Sequence, residues 1–271
     1  MLPPRRGNEV TIMALIRSEL EDRIGTITFD NDTKRNALNS ALIGEMMRAL
    51  AAFKAQGARC VVLRARKGAK VWSAGHDISE LPRSGRDPLA YNDTLEVAIR
   101  GVREFPAPVI AMIEGGVWGG AVELAICCDI PIGSPTATFA ITPARIGVPY
   151  NPAGILRIMN EIDLSVAKEM FFTAKPIDAT RAMAVGILNH LVPTEDLETF
   201  TYDMARTITE LSPLAIEVMK EQVRLLANAR PLSPETFERI QGLRRRVYDS
   251  HDYQEGIAAF EEKRKPQWTG R

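Results

Sequence analysis

Two glycine-containing segments carry the chemistry that this sequence is equipped to do. The first is Ser73-Ala74-Gly75-His76-Asp77-Ile78, which follows Val71-Trp72 at the expected end of a strand. Small residues there let the backbone bend sharply and approach a ligand, and Gly75 is free to take a positive φ. The amide after the bend belongs to His76 and could point into a site. The second segment is Glu114-Gly115-Gly116-Val117-Trp118-Gly119-Gly120-Ala121-Val122-Glu123. It reads as a glycine loop after a strand ending at Ile113, with a helix starting close to Val117. Amides at a helix N-terminus have no partner within the helix and sit at the positive end of its dipole. They suit an anion, including an oxyanion that exists only in a transition state. Glu123 stands three residues after Gly120 on the same helical face, where its carboxylate is either a base or the acceptor of a structural hydrogen bond. No Gly-Lys-Ser/Thr follows, so this is not a phosphate-cradling loop. Taken singly, the first segment reads more readily as a plain turn, and close helix–sheet packing explains the second equally well.

The surrounding pattern predicts the elements that must hold these segments. Ala14 to Leu20 and Ile24 to Phe29 flank a polar Glu21-Asp22-Arg23, as in an antiparallel hairpin. A helix is expected from Asn39 or Ser40, with Leu42, Met46, Leu50 and Phe53 at helical spacing. Cys60–Leu63, Val109–Ile113 and Ile130–Ile132 are short apolar runs of the kind buried on both faces. Helical stretches lie between them, around Leu89 to Arg103 and from Val117 to Cys127. Strand–helix–strand alternation implies right-handed crossovers and a mainly parallel sheet. From Pro152 onward the pattern is nearly all helical, so an α/β core precedes a helical C-terminal third.

Composition narrows the partners. Lys plus Arg and Asp plus Glu each number 34 in 271 residues, so no net field favours nucleic acid or a membrane surface. No apolar run reaches the roughly 18–20 residues of a membrane span. Residues 1–13 read as a flexible lead without a secretory signal, with Met13 an alternative start. Cys60, Cys127 and Cys128 show no metal spacing and read as reduced, buried thiols of a cytoplasmic protein.

Together the two segments are far more specific than either alone. The pair Ser-Ala-Gly-x-Asp and Gly-Gly-x-x-Glu-Leu, about 45 residues apart, resembles the crotonase (enoyl-CoA hydratase/isomerase) superfamily. Lys34-Arg35-Asn36-Ala37-Leu38-Asn39, Pro108-Val109-Ile110-Ala111, Cys128-Asp129-Ile130 and Phe260-x-x-Lys263-Arg264-x-Pro266 fit the same order. The resemblance implies an α/β fold, a crotonase-like spiral of ββα units spanning 14–200. A helical C-terminal trimerisation region would follow over 201–271, assembled as a homotrimer or homohexamer. It also implies an acyl-CoA substrate and no cofactor or metal. The amides of His76 and Gly120 would bind the thioester oxygen. Asp77, Ile78, Ser79 and Glu80 would shape the ligand channel, and Lys263 would meet CoA phosphates.

One departure bears on the reaction. Hydratases of this family use two glutamates; the first falls on Glu123, but Pro143 occupies the place of the second in Phe139-Ala140-Ile141-Thr142-Pro143. Proline cannot titrate, so efficient addition of water is not expected. Decarboxylation of a malonyl-type thioester needs only the oxyanion hole and a group that orients the departing carboxylate. Tyr150, just after Gly147-Val148-Pro149, supplies a neutral donor. Across Asp87-Pro88, Thr142-Pro143 and Gly147 to Asn151 the chain resembles decarboxylating members of the family. That implies Tyr150 as the carboxylate-orienting residue, Thr142 as a pocket hydroxyl, and methylmalonyl-CoA giving propionyl-CoA as the reaction. Without the resemblance, Tyr150 reads as a core aromatic. The alternatives are double-bond isomerisation with Glu123 as sole base, and acyl-CoA binding without turnover.

Overall fold

The computed structural model describes residues 14–81, 91–228 and 233–270. The expected lead at 1–13 and the Asp87-Pro88 segment lie outside the described residues. β1 (Ile16–Glu21) and β2 (Ile24–Phe29) form the expected hairpin, turned by Asp22 and Arg23 at positive φ. α1 (Ser40–Ala55) starts at Asn39, whose side chain accepts the Leu42 amide. There follow β3 (Cys60–Ala65), β4 (Val71–Ser73), α2 (Thr94–Arg103), β5 (Val109–Ile113), β6 (Gly116–Trp118) and α3 (Gly120–Ile126). β7 (Ile130–Gly133), β8 (Thr138–Ala140), α4 (Pro152–Glu161), α5 (Leu164–Thr173), β9 (Ile177–Asp178), α6 (Ala179–Ala184) and β10 (His190–Leu191) lead on. α7 (Leu197–Glu210), α8 (Pro213–Ala227), α9 (Pro234–Tyr248) and α10 (His251–Glu261) end the chain.

The strands form two sheets rather than the one expected. A six-stranded sheet runs β1-β2-β3-β5-β7-β10, parallel from β2 onward. A four-stranded sheet runs β4-β6-β8-β9, parallel except at its last pair. The apolar runs β3 and β5 are buried on both faces because side chains alternate across a strand. Val61, Leu63, Val109, Ala111 and Ile113 enter the main core with α1 and α2, whereas Cys60, Val62, Ile110 and Met112 pack against α7. α7 straddles residue 200 and covers that second face.

The helix expected near Val117 begins instead at Gly120. Gly116–Trp118 is taken by the small sheet, with Val117 paired to Ser73 on one side and Phe139 on the other. Trp72 ties the two sheets together: it is fully buried, packs edge-on against Phe29, and donates its indole N–H to the Met112 carbonyl at 3.0 Å. Beyond the core, α8 leaves Leu214, Met219, Val223 and Leu226 exposed. Among the described residues no helix is long and apolar enough to cross a membrane.

Candidate active site

Ala74-Gly75-His76, Gly119-Gly120 and Ile141-Thr142 leave the carboxyl ends of β4, β6 and β8, three parallel neighbours in the small sheet. Ligands of open α/β sheets collect at such strand ends. The segment after β4 is braced from behind by Asn36, fully buried at φ 51. Its amide nitrogen donates to the carbonyls of Val71 and Trp72, both at 3.1 Å, and its carbonyl accepts from Ser73 Oγ at 2.7 Å. An asparagine suits the left-handed conformation better than a bulkier residue.

Gly75 makes the next step possible. At φ 83, a Cβ on it would lie 2.4 Å from the Trp118 carbonyl oxygen and 2.8 Å from the Gly120 nitrogen, so the two backbones touch only because Gly75 has none. The Gly75 carbonyl accepts from Leu38 and the Asp77 amide donates to Leu38. In an extended strand alternate amides face opposite sides, so the His76 amide between them turns away from Leu38. Gly120 is the first residue of α3, where an amide has no acceptor within its own helix. The turn at Gly75 thus abuts the start of α3, the positive end of that helix.

The His76 side chain is otherwise engaged. Its Nδ1 lies 3.0 Å from the Asp77 carbonyl and its Nε2 lies 3.0 Å from Asp93 Oδ2. Both partners are acceptors, so both ring nitrogens donate when the ring is protonated. Burial pulls its pKa down, but the Asp93 hydrogen bond and charge outweigh that and raise it. With both ring nitrogens engaged, this side chain is a brace for the turn. Asp93 Oδ1 also caps α2 through the Leu95 amide, which anchors α2 to the His76 turn.

His76, Ile78, Leu81, Leu95, Gly119, Gly120, Thr142, Pro143, Val148, Tyr150 and Asn151 are among the residues around a cavity of about 70 Å³ at these amides. None of its described lining residues carries a carboxylate. Tyr150 stands at its edge, packed edge-on against Phe171, with its backbone carbonyl held by Arg244 of α9 at 2.7 Å. Asn151 caps α4 by accepting the Gly154 amide. Glu123 is fully buried behind this wall. Arg157 of α4 bonds Glu123 Oε1 at 2.5 Å and grips Glu96 of α2 with two hydrogen bonds of 2.9 and 2.8 Å. Burial is the main reason that the Glu123 carboxyl is pushed up to about 7, against the opposing pull of Arg157.

The structure thus gathers His76, Ile78, Gly120, Thr142 and Tyr150 around one cavity, with Glu123 one layer behind. Asp77, Ser79 and Glu80 do not line it. Asp77 accepts from the Ser79 amide and hydroxyl, and Glu80 accepts the amide and hydroxyl of Ser40 at the start of α1. Lys263 is exposed just past α10, apart from this cavity. Asp93, Glu96 and Arg157 escaped the sequence reading. Glu96 had a detectable signal, since it falls on the buried face of α2 beside Leu95 and Ile99. Among the described residues no group of three His, Cys, Asp or Glu could hold a metal ion.

Comparison with known proteins places this geometry. Residues 19–271 match the family model for enoyl-CoA hydratase/isomerase. The chain is 50% identical over 249 residues to a methylmalonyl-CoA decarboxylase of Escherichia coli (strain K12), covering 92% of this chain and 95% of that protein. It is similar, with a TM-score of 0.93 and 49% identity over 95% of this chain and 99% of the other, to a methylmalonyl-CoA decarboxylase in complex with 2-nitronate-propionyl-CoA. A second such structure, complexed with 2S-carboxypropyl-CoA, matches with a TM-score of 0.93 and 49% identity over 95% and 98% of the two chains. With the paired amides at the strand ends and this match along nearly its whole length, the chain belongs to the enoyl-CoA hydratase/isomerase family.

Proposed function

We propose that the protein decarboxylates methylmalonyl-CoA to propionyl-CoA through an enolate held in the oxyanion hole. The observation that carries this is the cavity itself, around which His76, Gly120, Thr142 and Tyr150 gather with no carboxylate among its described lining residues. The half-identical relative bears the name of that activity. The thioester oxygen accepts from the His76 and Gly120 amides. The bond from the α-carbon to the carboxylate stands across the plane of the carbonyl, and its electrons flow into the carbonyl as CO2 leaves. The enolate oxygen gains charge where the donors already point, so no reorganisation is needed. The α-carbon then takes one proton and propionyl-CoA results.

Tyr150 orients the departing carboxylate and Thr142 lines its pocket. A neutral phenol serves better than a cation, which would stabilise the ground-state carboxylate and oppose its loss. Ile78, Leu81, Leu95, Ile146 and Val148 give the cavity apolar walls, which favour uncharged CO2 over carboxylate. Isomerisation would need a base facing the α-carbon, and Glu123 lies behind Tyr150 instead. No cofactor beyond the CoA of the substrate is invoked. Lys263 contacts the CoA phosphates, and Asp77, Ser79 and Glu80 support the channel through the turn they build. Homotrimers or paired trimers cover the apolar side chains exposed on α8. The three cysteines are free thiols, which a reducing cytoplasm would maintain.

Crotonyl-CoA, which lacks a carboxylate, separates this reading from hydration. The wild type is expected to hydrate it negligibly, and Pro143→Glu is expected to remain a poor hydratase, because water must also be positioned. Following loss of the enoyl-thioester absorbance checks both. Rapid hydration by the wild type would overturn the reading.

A further inference from the structure

At the cavity edge two buried polar atoms, Glu123 Oε2 and the Tyr150 hydroxyl, have no partner among the described residues except each other. They approach each other over Gly154. A Cβ there would stand 2.5 Å from Glu123 Oε2 and 2.5 Å from Tyr150 Cε1. Buried polar atoms are seldom left unpaired, and carboxyl and phenol stand near enough to bond each other. The other oxygen of Glu123 is held by Arg157, whose guanidinium also holds Glu96. One cation thus serves two buried carboxylates, and the fully ionised cluster would keep one negative charge uncompensated.

We propose that Arg157, locked on Glu96, holds the Glu123 carboxyl against the Tyr150 phenol, and that whether Glu123 donates to the phenol or accepts from it decides where the Tyr150 hydroxyl points. The inference rests on the decarboxylase reading of Tyr150. With Glu123 protonated, its carboxyl donates to the phenol oxygen, and the phenol O–H is free to donate into the cavity to the substrate carboxylate. With Glu123 ionised, the carboxylate captures the phenol proton in a charge-assisted bond. The substrate carboxylate then meets only oxygen lone pairs and a like charge. The protonated form is therefore the productive one.

The groups facing Glu123 define the balance. They are Arg157 from α4, Glu96 from α2, Tyr150 from the turn before α4, and Cys127 from its own helix. Arg103 and Glu161 lie beyond Cys127, whose thiol burial keeps neutral. Burial dominates the upward push on Glu123, Arg157 opposes it, and Glu96 adds to it. Arg157 and Glu96 touch no reacting atom; they are positioning residues that act through Glu123.

This arrangement predicts opposite responses to two neutralisations. The kcat/KM for CO2 release by the intact wild type should fall on the alkaline side with a midpoint near the Glu123 value of about 7. Glu96→Gln removes a negative neighbour, so the midpoint should move to lower pH. Arg157→Gln removes a positive neighbour, so it should move to higher pH, each shift being on the order of one pH unit. General loosening of the fold would not split the two in sign. A limb that stays in place, or moves the same way in both variants, would overturn the inference. If Arg157→Gln does not fold, Glu96→Gln decides alone, since it is nearly isosteric and leaves Arg157 paired with Glu123. A downward shift supports the inference and no shift overturns it. A wild type that releases no CO2 at any pH would instead refute the decarboxylase reading, and this inference with it.

Discussion

Gly120→Pro is expected to lower kcat for CO2 release by about 10²- to 10³-fold, the loss that follows removal of one oxyanion-hole donor. The substitution is informative because Gly120 is the first residue of α3. Proline is tolerated at that position, where its missing N–H serves no helical bond and its fixed φ is already suitable. Its side-chain atoms would, however, press on Leu95, since a Cβ at Gly120 comes within 2.5 Å of Leu95 Cδ2. Gly120→Ala meets the same side chain and keeps the N–H, so it isolates the clash with Leu95, though not the contact of the proline ring with Gly75. The ratio of the two kcat values measures the donor. If proline and alanine variants turn over equally, the Gly120 amide does not stabilise the enolate.

Tyr150→Phe is expected to lower turnover by roughly 10- to 100-fold, as befits the loss of a hydrogen bond to a charged group. The ring should stay packed on Phe171 and the backbone carbonyl should stay on Arg244, because neither contact uses the hydroxyl. Thermal unfolding should therefore change little beyond the loss of the contact between the phenol and Glu123. The effect should fall mainly on kcat if the phenol orients the carboxylate, since alignment of the breaking bond matters at the transition state. Wild-type turnover in this variant would remove Tyr150 from the mechanism.

Much of the scaffold was readable from the residues alone. The hairpin, the Asn39 cap and the doubly buried runs of β3, β5 and β7 each leave a local signature in apolar spacing or turn chemistry. The small sheet leaves almost none. β4, β6 and β8 are three residues each and β9 is two, too short for alternation to register. Glycines within and beside β6 hid it further, so Val117 passed for a helix start while Gly119 and Gly120 make the real one. The bend at Gly75 was visible because Gly75 and the paired glycines are chemically unusual in their contexts. Its supports were not, because they join positions remote in sequence. Glu80 reaches back to Ser40, His76 pairs with Asp93, and Glu96 and Glu123 share Arg157. No periodicity encodes those pairings; they arise when the two sheets and α2–α4 pack. Asp77, Ser79 and Glu80 follow His76 in sequence, yet their side chains bond the turn itself and Ser40 rather than line the cavity.

The central claim is that an oxyanion hole without a second acid breaks a carbon–carbon bond rather than adding water. It is tested most directly by incubating the purified protein with methylmalonyl-CoA and following CO2 and thioester products together. The predicted result is stoichiometric CO2 and propionyl-CoA without any added cofactor. Recovery of intact methylmalonyl-CoA by a folded protein that binds it would contradict the account.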